Sequence, residues 1–305
     1  MKTGQTRLIA VDWGTSALRG ARLDHNGNVL EERMSAQGIL SVAPGQFATV
    51  FQENFGDWLK NTGALTLISG MAGSKQGWVE AAYCPCPAGF DELTNHLTWV
   101  EPGRIAIVPG LHCENAQVPD VMRGEEVQIF GAVHLTGQTE GSFVLPGTHS
   151  KWVQVVQGRV ERFATYMTGE VFALLSQHSI LARSIDPKAA LDESTFLQGI
   201  ERARRGQGLL HNAFSTRTLS LFERMAPPAL ASYLSGLVIG EELRDQSLQV
   251  GSKLVLIGSE ALTARYALAL TACGIQSQVL GSEATWAGLH ALSKALAGPG
   301  QVTSG

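Results

Sequence analysis

The 305-residue sequence has no apolar run of membrane-spanning length, no run of lysine and arginine, and few cysteines. The first absence argues against a transmembrane helix. The second, with a formal net charge of −4, argues against bulk nucleic-acid binding. Four cysteines in a chain this long make no disulfide framework, so a reducing, cytoplasmic setting is expected. The N-terminal string MKTGQTR has no hydrophobic core of a signal peptide, in line with that expectation. Metal patterns are missing too: Cys84-Pro85-Cys86 has no second pair at ligand spacing, and the eight histidines form no recognisable ligand set. No GxGxxG fingerprint marks a dinucleotide site. With 44% hydrophobic and 16% charged residues, the remainder reads as a globular enzyme of two domains.

What is present is one pattern written twice. IAVDWGTSALRGARLDHNGNVLEERM runs from Ile9 to Met34, and FVLPGTHSKWVQVVQGRVERFATYM runs from Phe143 to Met167. Each reads as a strand, a Gly-Thr turn, a strand of alternating polarity, a Gly turn and a third strand. Gly14-Thr15 and Gly147-Thr148 occupy matching places, followed by the hydroxyls of Ser16 and Ser150. A Gly-Thr turn leaves backbone N–H groups uncovered and lets an anion approach closely. Two such turns suggest two lobes gripping one polyphosphate from opposite sides.

Around the repeats, strands alternate with helices, which implies an α/β fold. Apolar spacing predicts a helix over 44–61, then a strand over 65–69 ending in the glycine-rich loop Ser69–Trp78. A strand is expected over 104–108. From Asp120, DVMRGEEVQIFGAVHL reads as a loop running into a helix. The polar stretch Thr136–Ser142 is the candidate domain boundary. Helices are expected over 168–183, over 192–204, and from Pro227-Pro228, since proline suits a first helical turn. A buried strand at Leu254–Ile257 turns through Gly258-Ser259-Glu260 into a helix reaching Cys273. A last helix covers Ala284–Leu296, and the tail GPGQVTSG is expected to fray.

Four groups of residues could carry chemistry. Asp12 ends the first strand and would face phosphates only across a cation, so it is the candidate Mg²⁺ ligand; its plainer role is to brace the turn. Thr15, Ser16, Thr148 and Ser150 offer hydroxyls beside the turns, and His149 lies within the second. Arg19 and Lys151 follow the turns and could reach phosphate or a substrate carboxylate, or be ordinary exposed strand charges. Asp120, Glu125 and Glu126 surround Arg123 in what reads as a single helical turn. Carboxylates there suit the helix dipole, but three with an arginine exceed what capping needs. One of them is expected to act as general base, and Arg123 to pair with an acidic substrate.

The strings VDWGTSALRGARLD (11–24), GMAGSKQGWVEAAYCPCPAG (70–89), DVMRGEEVQIFGA (120–132), LPGTHSKWVQV (145–155), FATYMTGEVFALLSQHSIL (163–181) and SYLSGLVIGEEL (232–243) together resemble the 2-dehydro-3-deoxygalactonokinase family, from residue 7 to about 296. That family lies in the sugar-kinase, Hsp70 and actin superfamily. The resemblance implies an α/β fold of two ribonuclease-H-like lobes, 1–136 and 137–283, with 284–305 returning to the first lobe and the active site in the interlobe cleft. It implies ATP and Mg²⁺ as cofactors, and transfer of the γ-phosphoryl to the 6-hydroxyl of 2-dehydro-3-deoxy-D-galactonate. Asp12, Gly14 and Thr15 match the superfamily's first phosphate motif, Gly147 and Thr148 its second, and Gly258 and Ser259 its adenosine motif. Ser16, His149 and Ser150 extend the nucleotide set, and Ser74 joins Arg123, Arg19 and Lys151 as substrate contacts. Many sugar kinases open the first connecting helix with Asp, whereas Gly124-Glu125-Glu126 opens it here, so the base stays open among Asp120, Glu125 and Glu126. The expected partners are a sugar acid and ATP, without nucleic acid or membrane, and a homodimer is left open. The competing readings are a kinase of a related 2-keto-3-deoxy sugar acid, an exopolyphosphatase-like phosphohydrolase, and an ATP-gated assembly protein of the actin type.

Overall fold

The computed structural model describes residues 5–60, 62–186, 189–246 and 248–298. Most of the tail expected to fray, residues 299–305, lies outside them. The elements in chain order are β1 (Leu8–Trp13), β2 (Leu18–Leu23), β3 (Val29–Ser35), α1 (Phe47–Leu59), β4 (Leu65–Gly70), β5 (Cys84–Pro85), α2 (Phe90–Asn95), β6 (Thr98–Glu101), β7 (Ile105–Ile107), β8 (Leu111–Asn115), β9 (Val118–Met122) and α3 (Glu125–Thr136). There follow β10 (Gly141–Leu145), β11 (Ser150–Val156), β12 (Arg159–Tyr166), α4 (Thr168–His178), α5 (Glu193–Arg204), α6 (Leu209–Leu221), α7 (Pro227–Arg244), β13 (Lys253–Ile257), α8 (Glu260–Ala272), β14 (Gln276–Leu280) and α9 (Glu283–Ala297). No described helix is long and apolar enough to cross a membrane.

Two compact units divide the chain: Met1–Gly141, Val153–Ala164 and Leu280–Gly305 form one, and Ser142–Trp152 and Thr165–Val279 the other. The repeat seen in sequence is a repeat of sheet order. One sheet runs β3-β2-β1-β4-β7-β6 and another β12-β11-β10-β13-β14. In each, a meander leads into a parallel neighbour: β4 beside β1, β13 beside β10. A third sheet, β5-β8-β9, has no counterpart.

The first core packs Ile9, Val11 and Trp13 of β1 against Phe47, Phe51, Phe55 and Trp58, the inward stripe of α1. The second packs Val144, Leu254 and Leu256 against Phe196, Ile200, Ile239 and Tyr266. The sequence reading holds for the meanders and the long helices, and departs elsewhere. The helix expected over 168–183 breaks at Ser179 into α4 and a 3₁₀ turn, where Ser179 accepts a hydrogen bond from the Leu181 N–H. The loop expected from Asp120 begins instead as strand: Asp120 pairs with Cys113 across β8 and β9.

Each unit also holds a pair of helices in backbone contact through reciprocal glycines. A Cβ on Gly131 of α3 would collide with the Ala284 carbonyl, and one on Gly288 of α9 with the Val127 carbonyl. In the second unit Gly199 of α5 meets Tyr233, and Gly236 of α7 meets Phe196, in the same way. Gly288→Ala or Gly236→Ala therefore has to push a packed helix pair apart, at ~1–3 kcal/mol. Gly56→Ala in α1, which meets mainly the end of the flexible Gln52 side chain, is expected to be close to neutral. Thermal melts of the three variants check this, and equal melting temperatures would refute it.

Candidate active site

The first turn sits where β1 and β4 end side by side, with Asp12 opposite Ser69 and Trp13 opposite Gly70. Parallel strands place such ends together, where ligands of open α/β sheets bind. Gly14 N–H donates to the Ala17 carbonyl at 2.9 Å, closing the turn, while Thr15 and Ser16 are exposed. The chain leaving β3 returns to brace it: Ile39 N–H donates to Gly14 O and Leu40 N–H to Thr15 O, at 3.0 and 3.2 Å. Gly38 makes this possible, because a Cβ there would collide with the Ser16 backbone. The Asp12 carboxylate does not brace the turn; it is ion-paired with Arg19, its cross-strand neighbour on β2.

Close to Asp12 lies the start of α3. Gly70, at φ 92°, leaves room for only 2.7 Å between a hypothetical Cβ and Trp13 O, and 3.2 Å to Asp12 Oδ1. Gly124, at φ 107°, would bring a Cβ within 3.3 Å of the Gly70 Cα. The two glutamates turn back over this helix start: Glu125 Oε2 accepts from Arg123 N–H at 3.0 Å, and Glu126 Oε2 from Gly124 N–H at 2.7 Å. Glu126 is fully enclosed, with Ser69 Oγ 3.5 Å from its other oxygen. Burial, helped by the charge of Glu125, pushes its carboxyl up to about 8. Asp120 is not part of this turn; its Oδ1 accepts from Val121 N–H within β9.

Arg123 lies under the glycine-rich loop. Its guanidinium stacks on the Tyr83 ring at 4.3 Å, donates through Nη2 to Ala81 O at 2.7 Å, and rests against Gly73. Its Nε and Nη1, and the neighbouring Ser74 Oγ, are buried without a hydrogen-bond partner. Unmet buried donors are costly, and an acceptor oxygen brought to any of them would relieve that cost.

In the second unit Gly147-Thr148 turns between β10 and β11, and the chain leaving β12 braces it. Glu170 N–H donates to Thr148 O at 3.0 Å, and Glu170 Oε2 pairs with His149 Nε2 at 2.6 Å. Gly169 allows the approach, since a Cβ there would lie 2.5 Å from Gly147 O. Gly258 ends β13 beside Pro146. A cavity of about 250 Å³, mostly apolar, opens beside the Gly147 turn: Gly147, Thr168, Phe172, Val238, Leu262 and Tyr266 are among its lining residues. Ser259 sits just before α8, whose first turn supplies Leu262.

Two expected phosphate or substrate contacts are otherwise engaged. Ser150 is fully buried and hydrogen-bonded to Tyr266 OH at 2.9 Å, so its hydroxyl serves the interior. Lys151 is likewise buried and donates to Thr165 Oγ1 at 2.8 Å rather than standing as an exposed strand charge. Burial also decides the cysteine pair: the thiols of Cys84 and Cys86 are pushed up to about 11 and about 12, which favours inert, reduced groups. Sequence reasoning missed Thr168, Phe172, Val238 and Tyr266, which come from three helices. Only their position beside a turn marks them, and that is a tertiary fact.

Glu126 gives a pH signature. Between its ordinary 4.5 and about 8 the unfolded chain ionises at this position while the folded one keeps the proton. The folded state then holds more protons, so this residue's contribution to stability falls as pH rises through that window and levels off above it. Glu126→Gln removes the effect. The melting temperature of the variant relative to the parent should climb from pH 5 to pH 8.5, and parallel pH profiles would show that the buried carboxyl does not titrate in this way.

The comparisons with known proteins agree with one another. The family model described as 2-keto-3-deoxy-galactonokinase matches residues 12–292. A 2-dehydro-3-deoxygalactonokinase of Escherichia coli (strain K12) is 34% identical, covering 95% of this chain and 99% of its own length. A protein of Rhizobium meliloti (strain 1021), named a probable 2-dehydro-3-deoxygalactonokinase, is 36% identical over 94% and 96% of the two chains. A crystal structure of a Sinorhizobium meliloti protein assigned to the same activity superposes with a TM-score of 0.87 at 35% identity, over 95% of this chain and 99% of that one. More distant likeness shows the fold alone: component A of the Acidaminococcus fermentans (R)-2-hydroxyglutaryl-CoA dehydratase gives a TM-score of 0.51 at 13% identity, over 95% and 98% of the two chains. With the α/β architecture of the sugar-kinase and actin-like ATPase fold, the chain belongs to the 2-keto-3-deoxy-galactonokinase family.

Proposed function

We propose that the chain transfers the γ-phosphoryl group of ATP to the 6-hydroxyl of 2-dehydro-3-deoxy-D-galactonate, as a step of galactonate breakdown. The observation that carries the acceptor class is the set of unmet donors at Arg123 and Ser74. The free Nε–H and Nη1–H of this guanidinium point different ways, and each can donate to an oxygen of an anionic group. In a protein of net charge −4, a permanently anionic substrate needs such a local cation. The nucleotide belongs to the second unit, its base in the apolar cavity beside Gly147 and its phosphates along Thr148, His149, Gly258 and Ser259. The Gly14-Thr15-Ser16 turn of the first unit is likewise suited to an anion, through the exposed Thr15 and Ser16.

Mg²⁺ fits the donor set at Asp12. Among the described residues no group of three or more His, Cys, Asp or Glu could hold a metal alone. One carboxylate beside an anion-binding turn is what a magnesium ion carried by nucleotide phosphates requires. Bound there, the ion would neutralise charge on the phosphates. Arg19, already paired with Asp12, adds a second positive charge beside the turn. Glu125 is the general base. Glu126 holds its proton up to about pH 8 and Asp120 is held in a strand, whereas Glu125 opens α3 next to Arg123.

ATP consumption against a panel of 2-keto-3-deoxy sugar acids, with the product read by phosphorus NMR, tests the reading. A 6-phosphate from the galactonate derivative is expected, and Glu125→Gln should slow it on the order of 10²–10⁴-fold. Phosphate release that needs no acceptor would favour a phosphohydrolase instead.

The substrate-charge assignment has its own test. Arg123→Ala should raise the KM for the sugar acid with little change in the KM for ATP, and Arg123→Lys should recover little, since an ammonium lacks the planar fork. Weakened ATP use with an unaffected sugar acid would place the acceptor elsewhere.

A further inference from the structure

The second unit contains a buried carboxylate that neither turn nor cavity needs for contact. Glu242, on α7, is 3% exposed. Its Oε1 accepts from the indole N–H of Trp152 at 2.6 Å. Its Oε2 accepts from Tyr266 OH at 2.7 Å and from Thr168 Oγ1. Ser150 Oγ lies 2.9 Å from Tyr266 OH. These donors come from β11, the first residue of α4, and α8. Burial raises the Glu242 carboxyl above its ordinary range, so the group is held against the preference of its surroundings. An apolar side chain of equal size would fill the space without that cost.

We propose that Glu242 is a positioning residue for the nucleotide, fixing through Thr168 and Tyr266 two walls of the cavity and through Ser150 the exit of the second phosphate turn. This rests on the reading of that cavity as the nucleotide site. Thr168 and Tyr266 both line it. Thr168 also precedes Gly169 and Glu170, which press on Gly147 and Thr148. One carboxylate thus sets the start of α4, the inner face of α8 and the turn against one another.

The network has a direction. An indole N–H can only donate, so Oε1 must accept. An ionised Oε2 takes both hydroxyl protons, leaving the Tyr266 oxygen to receive that of Ser150. Glu242→Gln keeps the volume but not this direction. Its amide oxygen has to face Trp152, and its NH₂ then faces Thr168 and Tyr266, whose hydroxyls must turn round. The two bonds that hold Thr168 and Tyr266 in place are thereby reversed, and the cavity walls they form are no longer fixed as in the parent.

Calorimetric titration of ATP into the protein without sugar acid, beside steady-state kinetics, tests this. Glu242→Gln is expected to weaken ATP binding at least tenfold and raise the KM for ATP in step, with the KM for the sugar acid unchanged. Trp152→Phe removes a donor that does not line the cavity and should shift ATP binding in the same sense, severalfold, so the outcome does not hang on one variant's folding. A merely structural role would lower the active fraction, reducing kcat and leaving the Kd and KM for ATP alone. ATP binding within twofold of the parent in both variants would overturn the proposal. A parent protein that does not bind ATP would instead overturn the nucleotide reading of the cavity.

Discussion

The first half of the site depends on backbone lying directly against backbone at Gly70. Side-by-side ends of β1 and β4 would be separated by side chains if any other residue stood there, since a Cβ would press on Trp13 O and Asp12 Oδ1. With none present, Gly124 also comes close, bringing the start of α3 and its two glutamates near Asp12. An aspartate and two glutamates thus share one neighbourhood without an intervening layer. Close approach is the structural use of a glycine at positive φ, and here it places chemistry rather than shaping a turn.

The two glutamates show how one helix terminus offers two environments. Both carboxylates accept a backbone N–H from the residues just ahead of α3, so both fix the chain's entry into the helix. They differ in enclosure. Glu126 is sealed in and keeps its proton well above the ordinary carboxylate range, whereas Glu125 is half-buried. Neighbouring residues of the same type thus meet different surroundings within one helical turn.

Much of this was legible in the sequence, for local reasons. The duplicated meander carries its turns and alternation within 26 residues or fewer, so periodicity and Gly-Thr spacing expose it. The long helices announced themselves through apolar spacing in α1 and the Pro227-Pro228 start of α7. What escaped is what depends on distant partners. The strand containing Asp120 exists because β8 lies alongside it, and VPDVM alone has little strand pattern. Ser150 and Lys151 look like phosphate ligands beside a turn, yet alternation along β11 does not foretell that both are buried. Thr168 and Tyr266 line one cavity from helices nearly 100 residues apart, which no local pattern records.

The bracing of each turn by the chain that leaves its own meander bears on how the molecule comes together. Leu40 returns to Thr15, and Glu170 to Thr148, across about two dozen residues each. Assembling the start of α3 beside Asp12 instead requires chain more than a hundred residues away. Closing a short loop costs less entropy than closing a long one, and contacts near in sequence form faster. The Gly-Thr turns can therefore take shape as each meander folds, while the start of α3 waits for the rest of the first unit. In a nascent chain, the proposed phosphate turns would exist before the proposed acceptor end.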